Sequence, residues 1–268
     1  MKMIMRKCFK VSLMAMGLVF MASGAQAGGI ASHKAFYEMS LDDREQKSNI
    51  VNILGRSAVT VERDCEGWIS VEDYVIEFVS ENGGSERILS HFESWEAKSG
   101  DKFSFDVNEE STFEGRKDYG GFASLEPDAQ AVFSNGAGQS LDLPKDVYFP
   151  MRHMEAVLSA ADQGKPILAA TVFFGGDYDD ALMKTNTVVG NWQEQSSDID
   201  FGDLSANGYW PVQIAYFKQS ATNGEPEYEI SFRVQPNGVV RQYVIDYGDF
   251  SIAAELTRID GVDDPVCK

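Results

Sequence analysis

Histidine and cysteine are scarce in this chain, three of each among 268 residues, and 42 acidic residues outnumber 23 basic ones. The first scarcity removes most of the groups from which metal sites and acid–base machinery are built. His33, His91 and His153 lie far apart, none stands four residues from another, and there is no H-E-x-x-H. No G-x-S-x-G elbow occurs, and no Ser-x-x-Lys stands with its partner motifs, so nucleophilic hydrolysis has no recognisable frame. The glycine-rich stretch from Ser134 to Gly138 is followed by neither a lysine nor a helix start that could hold phosphate, and reads as a turn. No motif for a cofactor is present, and none is expected. Paired carboxylates on strands could hydrolyse glycosides, but 42 acids produce such pairs by chance.

The shortage of positive charge excludes a second group of functions. An acidic chain repels phosphate backbones, so nucleic-acid binding is disfavoured. Anionic membrane surfaces are disfavoured for the same reason. The plain consequence of the charge is solubility.

Long apolar runs are missing too. Val11 to Ala22 is uncharged and mostly apolar, but about a dozen residues fall short of the roughly 20 that span a bilayer. Lys2, Arg6, Lys7 and Lys10 precede this run, and Ala25-Gln26-Ala27 follows as a small-x-small site. Residues 1–27 therefore read as a secretory signal cleaved near Ala27, which places the protein in the periplasm. Arg6-Lys7 is not a twin-arginine pair, so the general secretory route is expected. Cys8 precedes the apolar run, where no lipid-anchor cysteine would stand, and leaves with the signal. The mature chain carries 19 basic against 42 acidic residues, a formal charge of −23.

What remains is 28–268, with few, scattered prolines and no repeat, long linker or low-complexity block; it reads as one domain. Its two cysteines are Cys65 and Cys267. An oxidising compartment bonds such pairs, and only one intramolecular pairing exists. A redox pair would more often be close in sequence, as in C-x-x-C. A structural disulfide between Cys65 and Cys267 is expected, closing a loop of about 200 residues worth roughly 5 kcal/mol of unfolded-state entropy at most.

Most of the chain alternates with the period of strands that have one wet face. Lys102–Val107, Val212–Tyr216 and Glu227–Val234 are the clearest runs. The last meets Pro236-Asn237-Gly238 and returns over Val239–Tyr247, the best hairpin in the sequence, with Phe250–Ile259 as a further strand. Ser57–Val61 and Trp68–Val79 form an earlier pair with Cys65 at their turn, and Ala31–Leu41 an opening strand. Ile167–Phe174 is apolar on both faces and is expected to be buried on both. Asp43–Leu54 fits a polar loop or a short helix.

One segment breaks the alternation. After Pro150, an apolar stripe of Met151, Met154, Val157, Leu158 and Ala161 predicts an amphipathic helix that ends at Gly164, with Pro166 beyond. This helix should cover part of the apolar side of the sheet. Met151, Met154, Val157 and Leu158 are the candidate residues for lining a cleft there. His153 is expected to pack or cap, and His91, among Leu89, Phe92 and Trp95, to be a core or boundary histidine. Asp177–Asp180 and Asp198–Asp200 resemble calcium loops in composition only, because neither has the D-x-[DN]-x-[DN]-G frame, and both read as solvated loops. Four Trp, 17 Phe and ten Tyr supply either an ordinary core or a curved sheet that holds an apolar ligand or partner segment.

A set of short motifs in a fixed order carries a resemblance. Ser32-His33-Lys34-Ala35-Phe36-Tyr37 comes first, then Asp64-Cys65-Glu66-Gly67-Trp68 and Ser94-Trp95-Glu96. Gly100, Phe103-Ser104-Phe105, Phe149-Pro150-Met151-Arg152-His153, Ala160-Ala161-Asp162-Gln163-Gly164 and a terminal Cys follow. The chain from 31 to 267 resembles the EipB family of periplasmic cell-envelope integrity proteins of alphaproteobacteria. The resemblance implies a mainly β fold, an antiparallel β-spiral of about ten strands with a few flanking helices, similar to periplasmic lipoprotein carriers. It implies the pairing of Cys65 with Cys267, sensitivity to envelope stress when the protein is lost, and no enzymatic activity. It also implies a periplasmic tetratricopeptide-repeat protein as partner. Residues Gly175–Asp203 read as an acidic insert without a match. Three functions stay open: docking of a protein partner, carriage or sensing of lipid or lipoprotein acyl chains, and hydrolysis of envelope glycans. The missing catalytic constellation argues against the third. A continuous apolar cleft beside the 150–163 helix would favour the second, and a filled interior the first.

Overall fold

The longest strands flank Cys65. Ile50–Arg63 (β2) and Gly67–Ser80 (β3) pair antiparallel through a turn at residues 64–66. His33–Leu41 (β1) pairs with β2 on one side, and Ser85–Ala97 (β4) pairs with β3 on the other. Lys102–Ser111 (β5), Gly115–Ser124 (β6), Gln130–Phe133 (β7) and Ser140–Asp142 (β8) continue the meander to one edge. The chain then forms the helix Pro150–Asp162 (α1) and returns as Ile167–Phe173 (β9), Leu182–Val189 (β10), Gln193–Glu194 (β11) and Gly208–Lys218 (β12). Tyr228–Val234 (β13), Val240–Asp246 (β14) and Ser251–Gly261 (β15) complete it, and β15 pairs with β1. First and last strands thus meet in the middle of one sheet, ordered β8-β7-β6-β5-β4-β3-β2-β1-β15-β14-β13-β12-β10-β9, with β11 beside β12. Every strand pairing is antiparallel. The computed structural model describes residues 29–42, 47–134, 138–194, 201–222 and 224–267. The expected signal at 1–27, most of the expected Ser134–Gly138 turn and the expected Asp198–Asp200 loop lie outside them.

The mainly antiparallel β class stands, but the described residues hold fifteen strands, not about ten, and one α-helix with a short 3-10 turn at Gly202–Leu204. Strands such as β7, β8 and β11 span two to four residues, too short to show a period. Of the stretch expected as loop or helix, residues 43–46 lie outside the described residues, 47–49 are loop, and Ile50 already begins β2. Part of the presumed insert belongs to the sheet, since β10 bonds to β9 and β12 along its length. Ile167–Phe173 is an edge strand rather than one buried on both faces; Ile167 is 71 % exposed, and only Val172 and Phe173 are fully enclosed. Its apolar residues belong to a strand that one neighbour and the helix cover at one end.

The sheet curls without closing. Tyr148 bridges to β9, with its N–H donating to Thr171 O and the Phe173 N–H donating to Tyr148 O, each at 2.9 Å. Behind this contact, phenylalanines from both ends of the sheet pack together. Phe103 stacks on Phe149 with centroids 5.2 Å apart and meets Phe173 edge-on at 6.0 Å. Phe105 and Phe133 meet Phe173 as well. Gly175, at a positive φ of 75°, lies against the Phe105 ring, where a Cβ would come within 2.5 Å of ring carbon. Burying each such ring contributes roughly 1.5–3 kcal/mol, so this cluster is a main tie between the sheet ends.

The turn around Cys65 is the second tie. Asp64 accepts the N–H of Glu66 at 2.8 Å and the indole N–H of Trp95 at 2.9 Å. Gly67 crosses β4 so closely that a Cβ would meet Glu96 O at 2.0 Å. Cys65 is bonded to Cys267 across 202 residues, with the Cα atoms 5.4 Å apart. The tail that ends there is also held without the bond. Val262 N–H donates to Ser32 O at 3.1 Å, the Ser32 hydroxyl donates to Asp264, and Arg63 pairs with Asp264 at 3.5 Å. Arg63 lies 4.7 Å over the buried Trp68 ring, so Trp68 packs where the tail joins the turn.

Candidate functional site

Period 2 places alternate residues of each strand on the concave face, and the register lines them up across the sheet. One row runs Val212, Phe232, Tyr243, Ala254, Met39, Gly55, Ile76 and Ile88, from β12 to β4. A second runs Ile214, Ile230, Ile245 and Ile252, from β12 to β15. Gly55 lets its neighbours approach closely; a Cβ there would sit 3.0–3.2 Å from Val75 O, Ile76 and Met39.

Over this floor lies α1. Its N-cap residue Phe149 offers no side-chain hydrogen bond. The cap comes instead from β4, where Glu96, 1 % exposed, accepts the N–H groups of Met151 at 2.7 Å and Arg152 at 2.9 Å. A carboxylate at a helix N-terminus satisfies orphan donors and meets the positive end of the helix dipole. Burial nevertheless pushes this carboxyl up to about 7, and Glu155 adds to the rise, while the two N–H bonds and Arg152 oppose it. At the other end, Gly164 takes a positive φ of 65°, and Lys165 N–H returns to Ala160 O at 2.8 Å.

Between helix and floor is a cavity of about 530 Å³. Pro150, His153, Met154 and Val157 form its helical wall, and both registered rows contribute to the floor. Tyr247, 44 % exposed, stands at its mouth. The volume lies within the roughly 300–1,000 Å³ of small-molecule sites. Among the described residues that line it there is no lysine, arginine or aspartate. His153 is buried and kept neutral, its imidazole lowered to about 4 by desolvation, with Nε2 3.5 Å from the Thr185 hydroxyl. The one carboxyl in the wall is Glu72 on β3, which stands between Val59 and Phe92 in its row. The Ser57 hydroxyl donates to it at 3.2 Å. Burial raises its pKa, the Ser57 bond opposes this, and neighbouring Asp73 adds to it.

The candidate residues separate into three places. Met154 and Val157 line the cavity. Met151 and Leu158 face the core instead, with the Met151 sulfur accepting the Ser70 hydroxyl at 3.5 Å. Cys65 and Cys267 lie at the turn between β2 and β3. Of the histidines, His33 is buried, its pKa lowered by desolvation, with Nδ1 2.7 Å from Ala31 O. His91 is a boundary residue of intermediate burial, not a core one. It lies on the outward face in a 2.7 Å pair with Asp73, because Leu89 and Phe92 point to opposite sides of β4. In the acidic loop at 177–180, Asp180 pairs with Lys218 at 2.9 Å. Among the described residues no three His, Cys, Asp or Glu side chains gather as metal ligands would. Glu72, Glu96 and the tyrosines of the cavity escaped the sequence reading. The one available signal was an acid at an alternate position of β3 shared with Tyr74, Ile76 and Phe78.

A larger groove of about 800 Å³ crosses the outward face. Its lining is more polar and carries Glu38, Arg56, Glu109 and Glu110, with His91 paired to Asp73 and Arg116 and Arg258 paired to Asp118 and Asp260. The cavity under α1 has the more apolar lining of the two and is the stronger candidate for an apolar ligand.

The family profile described as EipB-like matches residues 24–263. A curated protein of Brucella abortus (strain 2308), named cell envelope integrity protein EipB, is 32 % identical over 252 residues, covering 91 % of this chain and 89 % of its own. A crystal structure of a beta-barrel-like protein of a domain of unknown function, also from Brucella abortus, superposes with a TM-score of 0.80 at 30 % identity, covering 88 % of this chain and all of that one.

Proposed function

The chain belongs to the EipB-like family, and from that premise we propose that it is an exported, non-catalytic protein that sustains cell-envelope integrity by holding an apolar envelope component in the cavity under α1. The envelope role comes from the name of the Brucella relative. Export agrees with the signal-like first 27 residues and with a disulfide, which persists in oxidising compartments. The observation that carries the binding role is the cavity itself. About 530 Å³ lined by isoleucines, aromatic rings and one helix face has been left unfilled, where a protein that only displayed a docking surface would gain stability by packing it. An acyl chain of a lipid or lipoprotein is the chemistry such a wall accepts.

The uncharged apolar dye N-phenyl-1-naphthylamine tests this reading. It should bind the wild-type protein with enhanced fluorescence. Ile245→Trp, at a partly open wall position opposite Ile230, should weaken binding at least about tenfold while the unfolding transition stays in place. Equal binding by the variant, or none by the wild type, would count against the cavity as the site.

A further inference from the structure

The apolar wall is interrupted at one point, and the interruption is built rather than incidental. Glu72 occupies an inward position of β3 where its row neighbours on β2 and β4 are Val59 and Phe92. A carboxyl there is partly withdrawn from water, which is unfavourable unless a cation or several donors compensate. One donor is present, the Ser57 hydroxyl at 3.2 Å. No lysine or arginine lines the cavity among the described residues. Four tyrosines share the cavity with the carboxyl: Tyr37, Tyr74, Tyr243 and Tyr247. All four lie close enough to interact with its charge, which opposes ionisation of their phenols. Tyr37 and Tyr243 meet edge to face, 5.2 Å between centroids, and the Tyr37 hydroxyl is already given to Val240 O at 2.7 Å. That bond leaves the ring, not the hydroxyl, as what Tyr37 can present.

A carboxyl without a cation, in a cavity it shares with four tyrosines, has the chemistry of an ammonium site, since the rings and the ionised carboxylate both attract positive charge. We infer that Glu72 and the tyrosines around it select apolar ligands that carry a protonated amine, so that the cavity takes an alkylammonium amphiphile in preference to a neutral or anionic one. The chain of the ligand lies along the isoleucine row, and its nitrogen meets Glu72 as the missing counter-ion. The formal charge of −19 over the whole chain also draws cations toward the molecule and repels anions. This inference rests on the binding role proposed above.

The test compares decylamine, 1-decanol and decanoate, each below its aggregation limit, as competitors for N-phenyl-1-naphthylamine at pH 7. In the wild type, decylamine should compete at least about tenfold more strongly than decanol, and decanoate most weakly. In Glu72→Gln the advantage of the amine over the alcohol should vanish while decanol binding is retained, which also shows that the variant is folded. General attraction to an acidic surface would persist in that variant, so a retained amine preference overturns the inference. Equal competition by all three in the wild type overturns it too, yet leaves the apolar binding role standing. Failure of all three, together with failure of the dye, overturns both.

Discussion

Glu96 fastens the helix over the cavity, and replacing it by glutamine isolates the energetics of that fastening. Its carboxyl has a folded pKa of about 7 against an ordinary value of 4.5. A raised carboxyl pKa means that the folded state holds the proton more tightly than the unfolded one. Its contribution is therefore fully present below about pH 4.5 and is lost as pH rises through 7. At about 1.36 kcal/mol per unit, the loss across that window is on the order of 3 kcal/mol. Glu96 is 1 % exposed, so solvent screens little of this. Other buried groups titrate nearby. Glu72 is raised and acts in the same direction. His153 is lowered to about 4, so it destabilises the fold as pH falls below the ordinary histidine range, the opposite sense. These contributions are common to wild type and variant and cancel in the difference. Glutamine, which mimics the neutral acid and keeps one acceptor for the helix N–H groups, has no slope of its own. Urea unfolding followed by tryptophan fluorescence between pH 4.5 and 8 should show Glu96→Gln gaining on wild type by about 3 kcal/mol as pH rises. Parallel stability curves for the two proteins would refute the burial argument.

The disulfide and the phenylalanine cluster give two further expectations. Cys65→Ser should lower the unfolding free energy by about 2–4 kcal/mol, less than the chain-entropy ceiling, because Ser32 and Arg63 still hold Asp264. It should also raise protease sensitivity at the C-terminal tail, and an unchanged midpoint under oxidising conditions would show that the bond contributes nothing. Phe173→Ala should cost about 3–5 kcal/mol, since Phe173 is fully buried against Phe103, Phe105, Phe133 and Phe149. A loss below about 1 kcal/mol in denaturant unfolding would mean that the sheet ends are not joined through this ring.

Local signals in the sequence carried far into this fold. The hairpin at Pro236-Asn237-Gly238 is present with Gly238 at a φ of 79°, and α1 starts at Pro150 as its stripe requires. Both rest on chemistry within a few residues. The cavity was less legible because β3 has apolar residues on both faces: Trp68, Tyr74, Ile76 and Phe78 inward, Ile69, Val71, Val75 and Val79 outward. Period 2 alone does not say which set meets the helix, so Glu72 read as one more surface acid. The role of Glu96 was invisible because its partners, Met151 and Arg152, are 55 and 56 residues away. The edge position of β9 follows from strand order, which no local pattern encodes.

The central claim is that the cavity under α1 holds an apolar component of the envelope. Native mass spectrometry of the protein purified from its native cells, in wild type and Ile245→Trp, tests it most directly. The account predicts a wild-type mass above that of the disulfide-bonded chain, with the excess leaving on denaturation as an apolar small molecule and absent from the variant. Repeated recovery of the bare chain mass from wild-type preparations, or the same adduct on both proteins, would contradict it.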